Sequence, residues 1–202
     1  FVDSEGTLWV SENGLGGEDA IEFFNVSNYE VIPGTIGDTA RIIRVAPDGT
    51  QETVVTLPSV EAGADRLGGG RFVEVDGEIF ATYGVWHENL GDDVTVDFFG
   101  TVINLNEGEP IAVASIWEHE NDNNPDQLDL RETHPYGLTV GPDGLLYIAD
   151  AAGNSLLSVD IETGQVDTVT AFDPVPGVFP SELLGGELLA QAVQVVRWIE
   201  RI

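Results

Sequence analysis

Gly137-Leu-Thr-Val-Gly-Pro-Asp-Gly-Leu-Leu-Tyr-Ile-Ala-Asp150 reads as two short apolar strands hinged on a Pro-Asp-Gly turn, and the pattern recurs. A related stretch runs Gly70-Arg-Phe-Val-Glu-Val-Asp-Gly-Glu-Ile-Phe-Ala-Thr-Tyr83. A clipped one opens the chain as Val2-Asp-Ser-Glu-Gly-Thr-Leu-Trp-Val-Ser-Glu12. Their turn glycines, Gly6, Gly77 and Gly144, are nearly evenly spaced. Two β-rich runs joined by such a turn predict a hairpin. Units repeated at long, regular intervals mark propellers and solenoids.

A second half-repeat follows each hairpin. Arg41-Ile-Ile-Arg-Val-Ala-Pro-Asp-Gly-Thr-Gln-Glu-Thr-Val-Val55 matches Ser155-Leu-Leu-Ser-Val-Asp-Ile-Glu-Thr-Gly-Gln-Val-Asp-Thr-Val169, with Thr101-Val-Ile-Asn-Leu-Asn-Glu-Gly-Glu-Pro-Ile-Ala-Val113 between them. Each unit is therefore strand, turn, strand, insert, strand, turn, strand, which is one four-stranded antiparallel propeller blade. The chain is expected to be all-β, with blades over about 1–60, 61–117 and 130–175 and an atypical tail at 176–202. Three blades do not close a ring, so about half of a six-bladed propeller is expected. The first copy lacks its strand-opening residues, which suggests a piece of something longer. The inserts shorten from Asn13–Ala40 through Val85–Phe99 to Ala151–Asn154, and such loops on a rigid repeat are where recognition is expected.

Composition narrows the partners. The 202 residues carry 36 acids against seven arginines and no lysine, for a net charge of −29. A field of that sign repels phosphate backbones and anionic headgroups, so neither nucleic acid nor a membrane surface is an expected partner. No apolar run is long enough to span a bilayer. The absence of cysteine removes disulfides, thiolate zinc sites and cysteine nucleophiles. No nucleophile elbow, phosphate-binding loop or His-Glu-x-x-His helix is present.

The polar segment Glu118-His-Glu-Asn-Asp-Asn-Asn-Pro-Asp-Gln-Leu-Asp-Leu-Arg-Glu-Thr-His-Pro-Tyr136 joins the second blade to the third. Glu120, Asp122, Asp126 and Asp129 offer hard oxygen ligands of the kind calcium takes, without EF-hand spacing. The same residues also read as a solvated turn cluster that hydrogen-bonds to itself. His134, His119 and His87 lie in loops, and nothing in their spacing requires them to meet. Tyr136 precedes the strand-opening Gly137, and Arg71 follows the strand-opening Gly70 of the other complete copy.

The run Pro135–Val159 looks like the NHL/SMP-30-like class of β-propellers. Asn123-Asn-Pro-Asp126, Asp129, His134-Pro-Tyr-Gly137, Ala149-Asp-Ala-Ala-Gly-Asn-Ser-Leu-Leu-Ser-Val-Asp160 and Leu15-Gly-Gly17 together resemble the ScyD/ScyE family. The resemblance covers about residues 1 to 175. It implies a secreted or periplasmic bacterial propeller without a defined activity. The leading expectation is a non-enzymatic protein that binds a small molecule or protein partner through its top-face loops. The alternative is a calcium-dependent hydrolase like the gluconolactonase-type propellers, with Glu12, His134 and Asp150 as candidate catalytic residues. Those enzymes hold a divalent cation with inner-strand carboxylates and asparagines. Their resemblance implies a metal-binding Asn ahead of Gly137-Leu138, where this chain has Tyr136, and Arg71 follows Gly70 in the other complete copy, a departure from that pattern. The tail from Glu187 to Ile202 has apolar residues at near-helical spacing.

Overall fold

A computed structural model describes residues 1–25, 30–87, 96–105 and 109–173. Among them are fifteen strands and one helix, so the protein is all-β. The tail at 176–202, with its expected helix, lies outside the described residues, as does most of the insert after Val85.

Three antiparallel sheets follow one another along the chain. The first contains β1 (Leu8–Glu12), β3 (Glu30–Val45), β4 (Gln51–Ala62) and β5 (Asp65–Leu67) in that order, with β2 (Asp19–Asn25) paired to β3. The second is ordered β10 (Ile111–Ser115), β9 (Thr101–Asn104), β7 (Glu78–Tyr83), β6 (Phe72–Val75). The third runs β12 (Pro135–Val140), β13 (Leu146–Asp150), β14 (Ser155–Val159), β15 (Val166–Ala171), each strand beside the next. A two-residue ladder joins β8 (Trp86–His87) to β11 (Glu132–Thr133).

The turns form for a local reason. At Pro142-Asp143-Gly144 the Gly144 N–H donates to Gly141 O at 3.1 Å, and Gly141 N–H donates to Leu145 O at 2.8 Å. Gly144 sits at φ +85°, as Gly6 and Gly77 sit at +83° and +86°. A side chain at Gly144 or Gly77 would meet nothing within 4 Å, so it is the left-handed backbone and not space that selects glycine.

Period-2 alternation then stacks the sheets. In β7, Ile79, Ala81 and Tyr83 join a core with Ile42, Leu57 and Val60 of the first sheet. Phe80, between them, points the other way, into a core with Leu146, Ile148, Leu157 and Val159 of the third. In β9, Ile103 serves the first core and Val102 the second, and both are fully buried. The second sheet is therefore covered on both faces, which is why its strands carry near-continuous apolar runs.

Two expectations are corrected. Much of the Asn13–Ala40 insert is strand, not loop: β2 pairs with the first half of β3 from Asp19↔Ile36 to Asn25↔Glu30. β4 then supports β3 on its other side from Gly34↔Ala62 to Val45↔Gln51. The first sheet accordingly ends at Leu67, beyond 60. The joining segment after residue 117 is not all turn either, because α1 (Ile116–Asn123) begins it. Ser115 caps that helix, its hydroxyl accepting the Glu118 N–H at 3.0 Å, and Asn124 closes it at φ 43°.

Candidate functional site

Two places gather polar chemistry. The first is a groove where the inner strands β6 and β12 approach the end of β1. Its upper part, about 350 Å³, is lined by Ser11, Asn13, the Gly68–Gly70 backbone, Arg71, His134 and Tyr136, among others. It continues along Phe72 and Leu138. Arg71, just ahead of β6, meets β12: its Nη2 donates to the Tyr136 hydroxyl at 2.5 Å, and its guanidinium lies 4.5 Å from the Tyr136 ring centroid. The His134 ring stands nearly perpendicular to the Tyr136 ring, their centroids 5.5 Å apart. Burial first, and then the neighbouring Arg71 charge, hold the His134 imidazole below its ordinary pKa, so it is neutral at pH 7.

Arg71 differs from the other described arginines. Arg41, Arg44 and Arg66 each pair with a carboxylate, Glu12, Glu52 and Glu61, at 2.6, 2.6 and 2.8 Å. The Arg131 charge acts on the Glu120 carboxylate. Arg71 is exposed in the groove, with the Tyr136 phenol as its partner.

The second place lies behind the groove, where α1 and the segment after it pack against the end of β13. Asp150 is 3% exposed and accepts four hydrogen bonds. The Thr133 hydroxyl donates to one carboxylate oxygen. The backbone N–H groups of His134, Gly153 and Ala152 donate to the other at 2.7, 3.0 and 3.2 Å. Glu120 reaches the same corner from α1: its Oε2 and Asp150 Oδ2 lie 3.0 and 3.2 Å from the point where Gly153 would carry a side chain. Glu120 Oε1 and Asn154 Oδ1 are buried there without a hydrogen-bond partner among the described residues.

Crowding of acids sets the protonation of this corner. Burial, and then the Asp150 and Asp126 carboxylates, push Glu120 from its ordinary 4.5 up to about 8 against the opposing pull of Arg131. Burial and the same two carboxylates push Glu132 up to about 7. Burial also raises Asp150, with its four hydrogen bonds working the other way. A carboxyl with a folded pKa above its unfolded one holds its proton more tightly in the native state. The stability due to Glu120 is thus fully present below about 4.5 and is lost as pH rises towards about 8. Glu120→Gln is expected to flatten this fall and to exceed the wild type at pH 8 by about 1.4 kcal/mol or more, the worth of one pKa unit. Urea denaturation at the two pH values reads the difference; equal pH slopes for the two proteins would place the titrating group elsewhere.

The candidate residues named from the sequence are distributed over both places and beyond. Glu12 forms an exposed ion pair with Arg41, His134 lines the groove, and Asp150 is held inside the corner. Of the calcium candidates, Glu120 is buried, while Asp122 and Asp129 are exposed. Asp126 accepts from Asn154 Nδ2 at 2.8 Å and from Leu128 N–H at 3.0 Å. Asn124 Nδ2 donates to Leu128 O and Asn123 Nδ2 to His119 O, so much of this segment does hydrogen-bond to itself. His119 bonds Thr168 Oγ1 at 2.7 Å, away from His134; the side chain of His87 lies outside the described ones. No three Asp, Glu or His side chains among the described residues converge as a metal-holding set. Neither Glu12, His134 and Asp150 nor the four calcium candidates form one.

Sequence reasoning missed Glu132 and the meeting of Arg71 with Tyr136. A Glu in a polar joining segment looks solvated, and no local signal marks its burial. Arg71 and Tyr136 did carry a local signal, since each adjoins a strand-opening glycine of the repeat, Gly70 and Gly137. Among the described residues no helix is long and apolar enough to cross a membrane. No family model, no curated protein and no solved structure matches the chain.

Proposed function

We propose that this chain forms blade-like units of a β-propeller of the ScyD/ScyE type, acting outside the cytoplasm, and that it binds a small ligand without turning it over. The observation that carries this reading is the groove: Arg71, just ahead of β6, meets Tyr136 of β12 in it, beside His134. Binding sites of this sort combine apolar walls with a few placed polar groups. The sheets' succession, each packed on the next by alternating side chains, supports blade-like units. A binding role is favoured over hydrolysis because the carboxylates a metal-dependent hydrolase needs are engaged elsewhere. Glu12 is tied to Arg41, and Asp150 is saturated by four donors.

The reading is tested with the purified protein and an aldonolactone or aryl ester, with calcium and with EDTA. No divalent-dependent hydrolysis is expected, and robust turnover abolished by EDTA overturns it.

A further inference from the structure

Resting on that reading, we infer that the groove takes a small organic carboxylate, whose charge Arg71 receives. Acids make up 36 of the 202 residues, yet no Asp or Glu lines either described stretch of the groove. Arg66 and Arg71 both line it, and Arg66 is already held by Glu61. In a chain of net charge −29, a lining free of acid and carrying an arginine without a carboxylate partner is a local inversion of the protein's own field. Within about 10 Å, the screening length at ordinary ionic strength, the near charge governs what binds.

The chemistry selects among anions. A guanidinium is a planar fork that matches a carboxylate with two parallel hydrogen bonds. Only one such fork is free of an acid, so a monoanion is neutralised, whereas a phosphate dianion would keep a charge that the surrounding acids repel. The neutral His134 and the Tyr136 hydroxyl border the same end of the groove and supply neutral hydrogen-bonding groups. Phe72 and Leu138, farther along, give an apolar wall for the ligand's body.

The test titrates phenylacetate, the isosteric neutral phenylacetamide and inorganic phosphate into the whole chain. Nuclear magnetic resonance follows the Arg71 and Tyr136 amides and the His134 ring proton. Phenylacetate is expected to shift all three saturably and to raise the His134 pKa, because an anion beside Arg71 offsets the charge that depresses it. Phenylacetamide is expected to bind about tenfold more weakly, the scale of one charge-assisted hydrogen bond. Arg71→Gln should weaken phenylacetate by a similar factor, while Arg44→Gln, outside the groove, should not. Equal binding of acid and amide, or tighter binding of phosphate, overturns the carboxylate and leaves the groove as a ligand site. No saturable response at Arg71 and Tyr136 to any of the three overturns the groove itself.

Discussion

Asp150→Ala is expected to cost about 4 kcal/mol or more, because it leaves up to four buried donors without an acceptor at about 1–3 kcal/mol each. Those donors are the Thr133 hydroxyl and the backbone N–H groups of His134, Ala152 and Gly153. They tie the end of β13 to the strand that enters β12, so the loss would also loosen the His134 side of the groove. Two effects oppose each other at this residue. The carboxylate satisfies its donors, but burial makes its charge unfavourable and raises its pKa. Asp150→Asn separates them: it keeps a neutral acceptor and discards the charge. Asn is therefore expected to cost less than half of what Ala costs. Urea unfolding at pH 7 with an unchanged denaturant slope measures both. An Asn variant as unstable as the Ala variant would mean that the ionised form, and not the acceptor, holds this corner.

Ile103→Ala is expected to destabilise the protein by about 2–5 kcal/mol, the range for truncating a fully buried branched side chain. Ile103 stands in the middle of the core shared by the first and second sheets, with Tyr83, Ala81 and Ile79 beside it from β7. The neighbouring strands are paired on both sides of β9, so the space left has little freedom to collapse. Val102, one residue earlier, serves the opposite core, and Val102→Ala removes less apolar volume there. It should cost less than Ile103→Ala, on the order of 0.8 kcal/mol per methylene plus the cavity contribution. A cost below about 1 kcal/mol for Ile103→Ala would contradict the two-sided burial of the second sheet.

How far the fold can be read from the sequence depends on the range of the interaction. The hairpin at Gly144 was legible because a left-handed turn residue and apolar alternation on either side are properties of a few consecutive residues. The β2–β3 extension was not, since Pro33 and Gly34 interrupt its pattern and Pro58 interrupts β4, and both residue types count against a strand locally. Long pairing on both flanks of β3 overrides that preference. The helix α1 had a signature, Ser115 followed three residues later by Glu118, within a stretch whose polarity reads as a loop.

The candidate site divides along the same line. Residue types and approximate places were readable: His134 beside an inner strand, acids in the joining segment, Tyr136 and Arg71 beside strand-opening glycines. The chain by itself determined the turns, the alternation that gives each strand two apolar faces, and the net charge of −29, all of which follow from local backbone geometry or from composition. Tertiary structure alone decided that Arg71 meets Tyr136 across 65 residues, that no acid among the described residues lines their groove, and that Glu120, Glu132 and Asp150 share a corner that raises their pKa values. Charge interactions and desolvation depend on distance through space and on exclusion of water, and both are set when the sheets pack.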